Sequence, residues 1–151
     1  MFWPRGPASD REILIERTFE APRELVFRAW TDGAHLRQWC CPAGFTIPHA
    51  EGPVRPGGRF RTCMRAADGT DYWLSGTYLE IVPPERLSFI HAWDDEPAMG
   101  PETTVTVRLE DAGPGRTKLT LHQALFDGAA YRDVHATGWH ESFDKLATLL
   151  D

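Results

Sequence analysis

The last stretch of the sequence, from Asp127 to Leu150, constrains the fold most, because it predicts one long amphipathic helix. Its apolar residues recur at spacings of three, four and one, which places them on a single helical face. These residues are Tyr131, Val134, Gly138, Trp139, Phe143, Leu146 and Leu150. Asp127 is the predicted N-cap, and Glu141 and Lys145 are spaced as an i,i+4 ion pair. A face this aromatic has to be covered by the rest of the chain.

The preceding sequence alternates apolar and polar residues with period two, which predicts β-strands. The strands are expected at residues 11–20, 45–51, 59–66, 71–82, 86–93, 103–110 and 116–125. Pro22 ends the first strand and starts a helix, and Asp32-Gly33 separates that helix from a second short one ending near Trp39. Pro48 confines the second strand to a sheet edge, and Asp68-Gly69 predicts a type I′ hairpin turn.

These elements together predict an α+β protein. In it, a curved antiparallel sheet wraps around the long C-terminal helix, and two short helices follow the first strand. Residues 1–10 mix Pro4, Gly6 and Pro7 without periodicity, so they are expected to form a flexible leader. Residues 11–151 contain no internal repeat and no linker, which predicts a single domain.

Composition excludes several classes of function. The formal net charge of -6 argues against a nucleic-acid partner, since nucleic-acid binders usually present a basic face. No apolar run approaches the roughly 20 residues that span a bilayer, so no membrane span is expected. The three cysteines have no disulfide-framework spacing, and the N-terminus has no apolar signal region. We therefore expect a cytoplasmic protein with reduced thiols.

Several short motifs stand in an order typical of one known family. They are Phe27-Arg-Ala-Trp-Thr-Asp32, Leu36-Arg-Gln-Trp39, Pro56-Gly-Gly-Arg-Phe60, Gly76-Thr-Tyr-Leu-Glu-Ile-Val-Pro-Pro-Glu-Arg-Leu87, Gly138-Trp139 and Asp144-Lys-Leu-Ala-Thr-Leu-Leu150. From Arg11 onward the chain resembles the activator-of-Hsp90-ATPase-like family of the START-like, Bet v 1-like superfamily (SRPBCC). The resemblance implies a helix-grip fold, in which the sheet grips the C-terminal helix over an internal cavity, and the family name implies a link to stress response.

The resemblance is incomplete at two points. At Trp39-Cys40-Cys41-Pro42 the sequence departs from the family, whose members usually place a second aromatic and a glycine before the proline. The eukaryotic chaperone activator that gives the family its name also has a separate N-terminal domain for chaperone contact. A chain of 151 residues is too short to hold that domain as well, so chaperone contact is only an alternative function.

The candidate site is the concave face of the sheet beneath the helix. If the register turns the apolar residues toward the helix, Thr77, Leu79, Leu87 and Leu109 also lie on this face. The residues expected to line a cavity are Trp73, Phe89, His91, Trp93, Val105, Val107, Leu119, Leu121, Gln123, Trp139 and Phe143. Residues of this kind either fill one another's volume as a solid core or surround a pocket. The resemblance favours a pocket that binds a small hydrophobic molecule, without cofactor or metal.

His91 and Gln123 are the polar residues among these apolar positions. Each needs a hydrogen-bond partner when buried, and either a neighbouring group or a ligand would provide one. The resemblance also leaves open an enzyme of the cyclase or aromatase type, which would use His91 with Gln123 and with Tyr72 or Tyr78. Binding without catalysis is the favoured interpretation, and no catalytic residue is assigned. The oligomeric state is left open, a homodimer included.

Two other groups of residues are weaker candidates for a functional site. His135 and His140 are five apart, about 140° around a helix, so they cannot bind one metal ion together. A metal site is therefore not expected. Adjacent Cys40 and Cys41 would form a strained disulfide, so they are expected to be packed thiols rather than a redox pair.

Overall fold

The chain forms a seven-stranded antiparallel sheet and three helices. The computed structural model describes residues 11–94, 102–124 and 129–150. The strands are β1 (Glu12–Phe19), β2 (Thr46–Glu51), β3 (Arg59–Arg65), β4 (Asp71–Val82), β5 (Arg86–Trp93), β6 (Thr103–Asp111) and β7 (Thr117–Ala124). The helices are α1 (Arg23–Thr31), α2 (Gly33–Trp39) and α3 (Ala129–Leu150). The element order confirms the prediction of two short helices after the first strand and a long helix at the end.

The strands are ordered β1-β7-β6-β5-β4-β3-β2 across the sheet. Every neighbouring pair is antiparallel. Strand β2, which contains Pro48, lies at one edge as predicted, because proline has no amide hydrogen for a second ladder. The sheet with α3 across its inner face confirms the predicted α+β helix-grip architecture. None of the described helices is both long enough and apolar enough to cross a membrane.

The packed part of the core lies where α3 meets α1, α2 and β1. Phe143 is fully buried, and its ring centre lies 6.0 Å from that of Phe19 and 6.2 Å from those of Trp30 and Trp39. Leu146, one turn further along the helix, is also fully buried. These aromatic contacts add edge-to-face and stacking attraction to the burial of apolar area. They fix the C-terminal half of α3 on the sheet.

Asp32 both ends α1 and starts α2. Its carboxylate Oδ1 accepts hydrogen bonds from the backbone amides of Ala34 at 2.9 Å and His35 at 3.3 Å. This N-cap satisfies two of the amide groups that the first turn of a helix leaves without partners. On α3, the predicted N-cap Asp127 lies outside the described residues. Val134, which was predicted to face the sheet, is instead 65% exposed.

The register prediction was wrong on β4. The inner residues of this strand are Tyr72, Leu74, Gly76 and Tyr78, so Trp73 and Thr77 lie on the outer face. The inner set contains a glycine, which broke the apolar alternation and favoured the opposite register. Leu79, 48% exposed, lies outside as well, because it alternates with Tyr78 and so shares the face of Trp73 and Thr77.

Trp73 is covered from outside rather than by the helix. The guanidinium carbon of Arg61 lies 4.1 Å from the centre of its ring, and the imidazole of His49 lies 5.7 Å away. A cation over an indole face is attracted by the ring quadrupole. These contacts leave Trp73 half-buried on the convex face, so the prediction that it faces α3 is wrong.

The hairpin between β3 and β4 turns at the predicted place but with a different geometry. A type I′ turn would need positive φ at both Asp68 and Gly69, and only Gly69 has it, with φ of 89°. The amide of Gly69 donates to the carbonyl of Ala66 at 3.0 Å, and Ala66 in turn donates to Thr70 at 2.8 Å. This pattern is typical of a type I turn followed by a glycine bulge.

Gly76 provides a test of close packing on the inner face. A Cβ at this position would collide with the backbone oxygen of Ile90 and with the ring of Phe60. We expect Gly76→Ala to lower the free energy of unfolding by about 1–3 kcal/mol, as overpacking does. Gly33→Ala is the control, because a Cβ there meets nothing within 4 Å. Urea denaturation measures both, and equal effects of the two substitutions would contradict the packing described for Gly76.

Candidate functional site

A cavity of about 630 Å³ lies between the sheet and the N-terminal half of α3. Strands β2 to β5 form its floor, and the end of α2 with the following loop forms one side. Its wall is mostly apolar and aromatic, and includes Trp30, Phe45, Phe60, Met64, Leu74, Tyr78, Leu87, Phe89, His91, Trp93 and Trp139. The inner space is therefore divided into a packed half under the end of α3 and an open half under its beginning.

The structure divides the predicted site residues between these two halves. Phe89, His91, Trp93 and Trp139 line the cavity. The other inward-facing residues belong to the packed half, where each is fully buried, and they are Val105, Val107, Leu119, Leu121, Gln123 and Phe143. Their expected place on a cavity wall is wrong, because α3 lies nearest to β1, α1 and α2 and closes over them.

Sequence reasoning missed most of the opposite wall. Phe60, Thr62 and Met64 of β3 alternate toward the cavity, a period-two signal that the sequence already carries. Leu36 of α2 and Phe45 of the following loop also line it. Neither the alternation in β3 nor the residues of α2 and its loop predicted a cavity wall, because no local pattern shows that these segments face α3.

Gln123 is explained by its neighbours in the protein. The indole Nε1 of Trp139 donates to its Oε1 at 2.7 Å, and its own Nε2 donates to the hydroxyl of Thr103 at 2.8 Å. That hydroxyl donates in turn to the backbone oxygen of His91 at 3.4 Å. The chain of hydrogen bonds joins α3 to β7, β6 and β5 and leaves the Gln123 amide no need of a ligand.

His91 stands at the cavity wall with its ring buried. The side chain is only 7% exposed, and its ring centre lies 5.5 Å from that of Trp93 and 6.0 Å from that of His135. Burial, together with a smaller contribution from the neighbouring His135, lowers the pKa of His91 to about 3. The imidazole is therefore neutral at physiological pH, with one nitrogen as donor and the other as acceptor.

A hydrogen bond closes the cavity beside His91. Trp93 Nε1 donates to His135 Nε2 at 2.9 Å, which requires that this nitrogen of His135 carries no proton. The bond ties the end of β5 to the second turn of α3. Within the described ranges, no group of three or more His, Cys, Asp or Glu residues is placed to hold a metal ion.

Two further wall groups are held neutral by burial. Burial raises the pKa of Tyr78 to about 12, with a smaller contribution from Cys40. Burial also raises the pKa of Cys40 to about 12, and Cys41 adds to this shift while Lys145 opposes it. A thiol with so high a pKa is a poor nucleophile. Cys40 and Cys41 are both free thiols.

The loop after α2 is tied to α3 by a half-buried lysine. Lys145 Nζ donates to the backbone oxygens of Pro42 at 2.8 Å and Phe45 at 3.2 Å, and contacts the sulfur of Cys41 at 3.2 Å. Glu141 Oε1 accepts a hydrogen bond from the amide of Ala43 at 3.3 Å. The predicted ion pair between Glu141 and Lys145 is therefore wrong, because both side chains reach across to this loop.

Fold and cavity together define a helix-grip protein with an internal, largely apolar pocket. The family model described as "Activator of Hsp90 ATPase homolog 1-like protein" matches residues 20–151. The chain belongs to this family, as its motifs suggested. No curated protein matches the sequence.

Several solved structures are similar over nearly the whole chain. The AHSA1 protein of Silicibacter pomeroyi has a TM-score of 0.82 and 29% identity, covering 92% of this chain and 96% of that one. Protein CV1439 of Chromobacterium violaceum has a TM-score of 0.79 and 28% identity, with the same coverage of each chain. Protein NE0264 of Nitrosomonas europaea has a TM-score of 0.78 and 25% identity, covering 93% and 94%. Their names state no ligand.

The buried His91 predicts a specific acid sensitivity. Its pKa is lowered from 6.5 to about 3 in the folded protein, so between these values the unfolded chain binds a proton that the folded one does not. Stability is therefore lost as the pH falls through this window. Between pH 7.5 and pH 4.5 the protonation of His91 in the unfolded chain lowers the free energy of unfolding by about 2–3 kcal/mol. This follows because each pH unit below the ordinary pKa costs about 1.4 kcal/mol.

Urea denaturation of the parent, His91→Leu and His140→Leu at the two pH values measures this contribution. We expect the acid-induced loss of stability to be smaller by that amount in His91→Leu. The control His140→Leu replaces an exposed histidine of α3 and should behave as the parent does. An unchanged acid-induced loss in His91→Leu would show that the imidazole is protonated inside the fold.

Proposed function

We propose that the protein binds a small, largely apolar molecule in the cavity between β2–β5 and α3. The observation that carries the proposal is a half-open pocket of about 630 Å³ beside a tightly packed half of the core. Small-molecule pockets typically measure about 300–1,000 Å³ and have apolar, aromatic walls with few polar groups. An apolar wall that is open to water is unfavourable, so a ligand that covers it gains the free energy of apolar burial.

The tight packing of the other half of the core, under the end of α3, supports the proposal. The fully buried residues Val105, Val107, Leu119 and Leu121 show that this sequence fills a core tightly where α3 closes on the sheet. The open half is lined by side chains as large as Trp30, so the space there is not caused by small side chains. Membership of the family agrees with a pocket at this place, since the helix-grip fold leaves space beneath the helix.

The two alternative functions are supported less well. A chaperone-interaction module calls for a continuous exposed apolar patch. The exposed large apolar side chains of the described residues are Leu25, Leu79, Val134 and Leu149, which lie on α1, on β4 and at the two ends of α3. An enzyme of the cyclase type remains a prediction, and the Gln123 amide that it would use is already engaged by Trp139 and Thr103.

Binding is tested with N-phenyl-1-naphthylamine, an uncharged fluorescent probe. We expect saturable enhancement of its emission at one probe per chain, with quenching of tryptophan fluorescence. We also expect a higher melting temperature, because a ligand at 100 times its Kd stabilises the folded state by about 2.7 kcal/mol. Absence of saturable binding and of stabilisation would overturn the proposal.

A matched pair of variants locates the probe. Thr62 points from β3 into the cavity, so Thr62→Phe should fill part of it and weaken probe binding by about tenfold or more. Thr104→Phe places the same side chain on the exposed face of β6 and should bind as the parent does. Circular dichroism and melting confirm that both variants fold. Equal binding by both would place the probe elsewhere on the protein.

A further inference from the structure

The cavity wall contains almost no charge. Among the described residues that line it, the charged ones are Arg37, Asp133 and Glu141, and none is buried. Arg37 already donates to the backbone oxygens of Ile47 at 3.3 Å and Pro48 at 2.9 Å. Arg37 is thus the one cation among these residues, and its side chain is exposed rather than buried in the cavity.

The side chains of His91 and Tyr78 are buried in this wall and form no hydrogen bond with another residue that the structure describes, and the buried indole Nε1 of Trp30 has no partner either. The ring of His91 is 7% exposed and approaches only its own backbone within hydrogen-bond reach. The hydroxyl of Tyr78, on a side chain 5% exposed, forms no hydrogen bond with any part of the chain that the structure describes. By contrast, the indoles of Trp93 and Trp139 are both satisfied, by His135 and Gln123.

The two side chains occupy fixed relative positions on the inner face. His91 of β5 pairs with Gly76 of β4, and Tyr78 of β4 pairs with Phe89 of β5. They are thus diagonal neighbours on adjacent strands, with Cβ atoms about 7–8 Å apart. Phe89 and the ring of Phe60, 5.8 Å from it, provide apolar surface near both.

From this arrangement we propose that the ligand is an uncharged molecule with two separate hydrogen-bonding groups on a rigid apolar body, one bound by Tyr78 and one by His91. The inference rests on the proposed function, because it names the chemistry of the ligand in that same cavity. A buried polar group without a partner is costly, so a ligand that satisfies both groups gains over a purely apolar one. Tyr78 and His91 are therefore specificity-determining residues.

The same wall discriminates against anions such as fatty-acid carboxylates. An ionised carboxylate loses its hydration on entry and meets neither a buried cation nor several convergent donors. The shifted pKa values of Tyr78 and His91 agree, since both side chains stay neutral where a carboxylate would be ionised. An amide, phenol or ketone avoids this cost.

A series of naphthalenes of similar shape tests the proposal by competition with N-phenyl-1-naphthylamine. Naphthalene-2,6-diol should bind more tightly than 2-naphthol, and 2-naphthol more tightly than naphthalene, by about three- to tenfold for each hydrogen bond. Naphthalene-2,6-dicarboxylate at pH 7.5 should bind at least about 100-fold more weakly than the uncharged naphthalene-2,6-dicarboxamide. Equal affinity for the diol and naphthalene, or for dicarboxylate and dicarboxamide, would overturn the proposal.

Variants assign the two groups. Tyr78→Phe and His91→Leu should each lower the ratio of diol affinity to naphthalene affinity about three- to tenfold. His140→Leu is the control on the exposed face of α3 and should change neither affinity. Weakening of diol and naphthalene alike by these variants would show a packing role and contradict the specificity assigned here. Failure of the parent to bind the fluorescent probe would instead remove the proposed function itself.

Discussion

The packing of Phe143 against the aromatic rings of three other elements determines how the rest of the protein is arranged. Its ring lies 5.7 Å from Trp139 on the same helix and 6.0–6.2 Å from Phe19, Trp30 and Trp39. These rings come from β1, α1 and α2, so one residue of α3 joins the first strand, both short helices and the sheet. Because the contact lies in the second half of α3, that half is fixed close to the sheet and the first half is left to span open space.

The cavity follows from this asymmetry together with the ties that hold the loop after α2. Lys145 and Glu141 bind the backbone of that loop, and the Cβ position of Gly138 lies 3.3 Å from Pro42. One side of the opening is therefore closed by the segment that contains Cys40 and Cys41. Cys41 is part of the tie through its contact with Lys145, which gives this thiol a structural role.

Periodicity was sufficient to predict the elements, because helices and strands leave different spacings in a sequence. It was insufficient for the register of β4, since Gly76 interrupts the inner apolar set and Trp73 strengthens the outer one. A tryptophan on an outer face is stable only because a cation covers it, and nothing local in the sequence of β4 shows that Arg61 of β3 will do so. Long-range pairing decides the face on which such a residue lies.

Long-range packing, which the local sequence does not show, also distinguishes the two polar residues that the apolar alternation singled out. Gln123 and His91 both interrupt apolar strands, and the sequence gives no reason to treat them differently. In the fold, Gln123 lies in the packed half, where Trp139 and Thr103 satisfy its amide, whereas His91 lies at the boundary with the cavity. Polar residues in a closed core specify how elements meet, and polar residues on the wall of a void are available to a ligand. The position of α3 over the sheet therefore decides that Gln123 stabilises the fold and that His91 is available to a ligand.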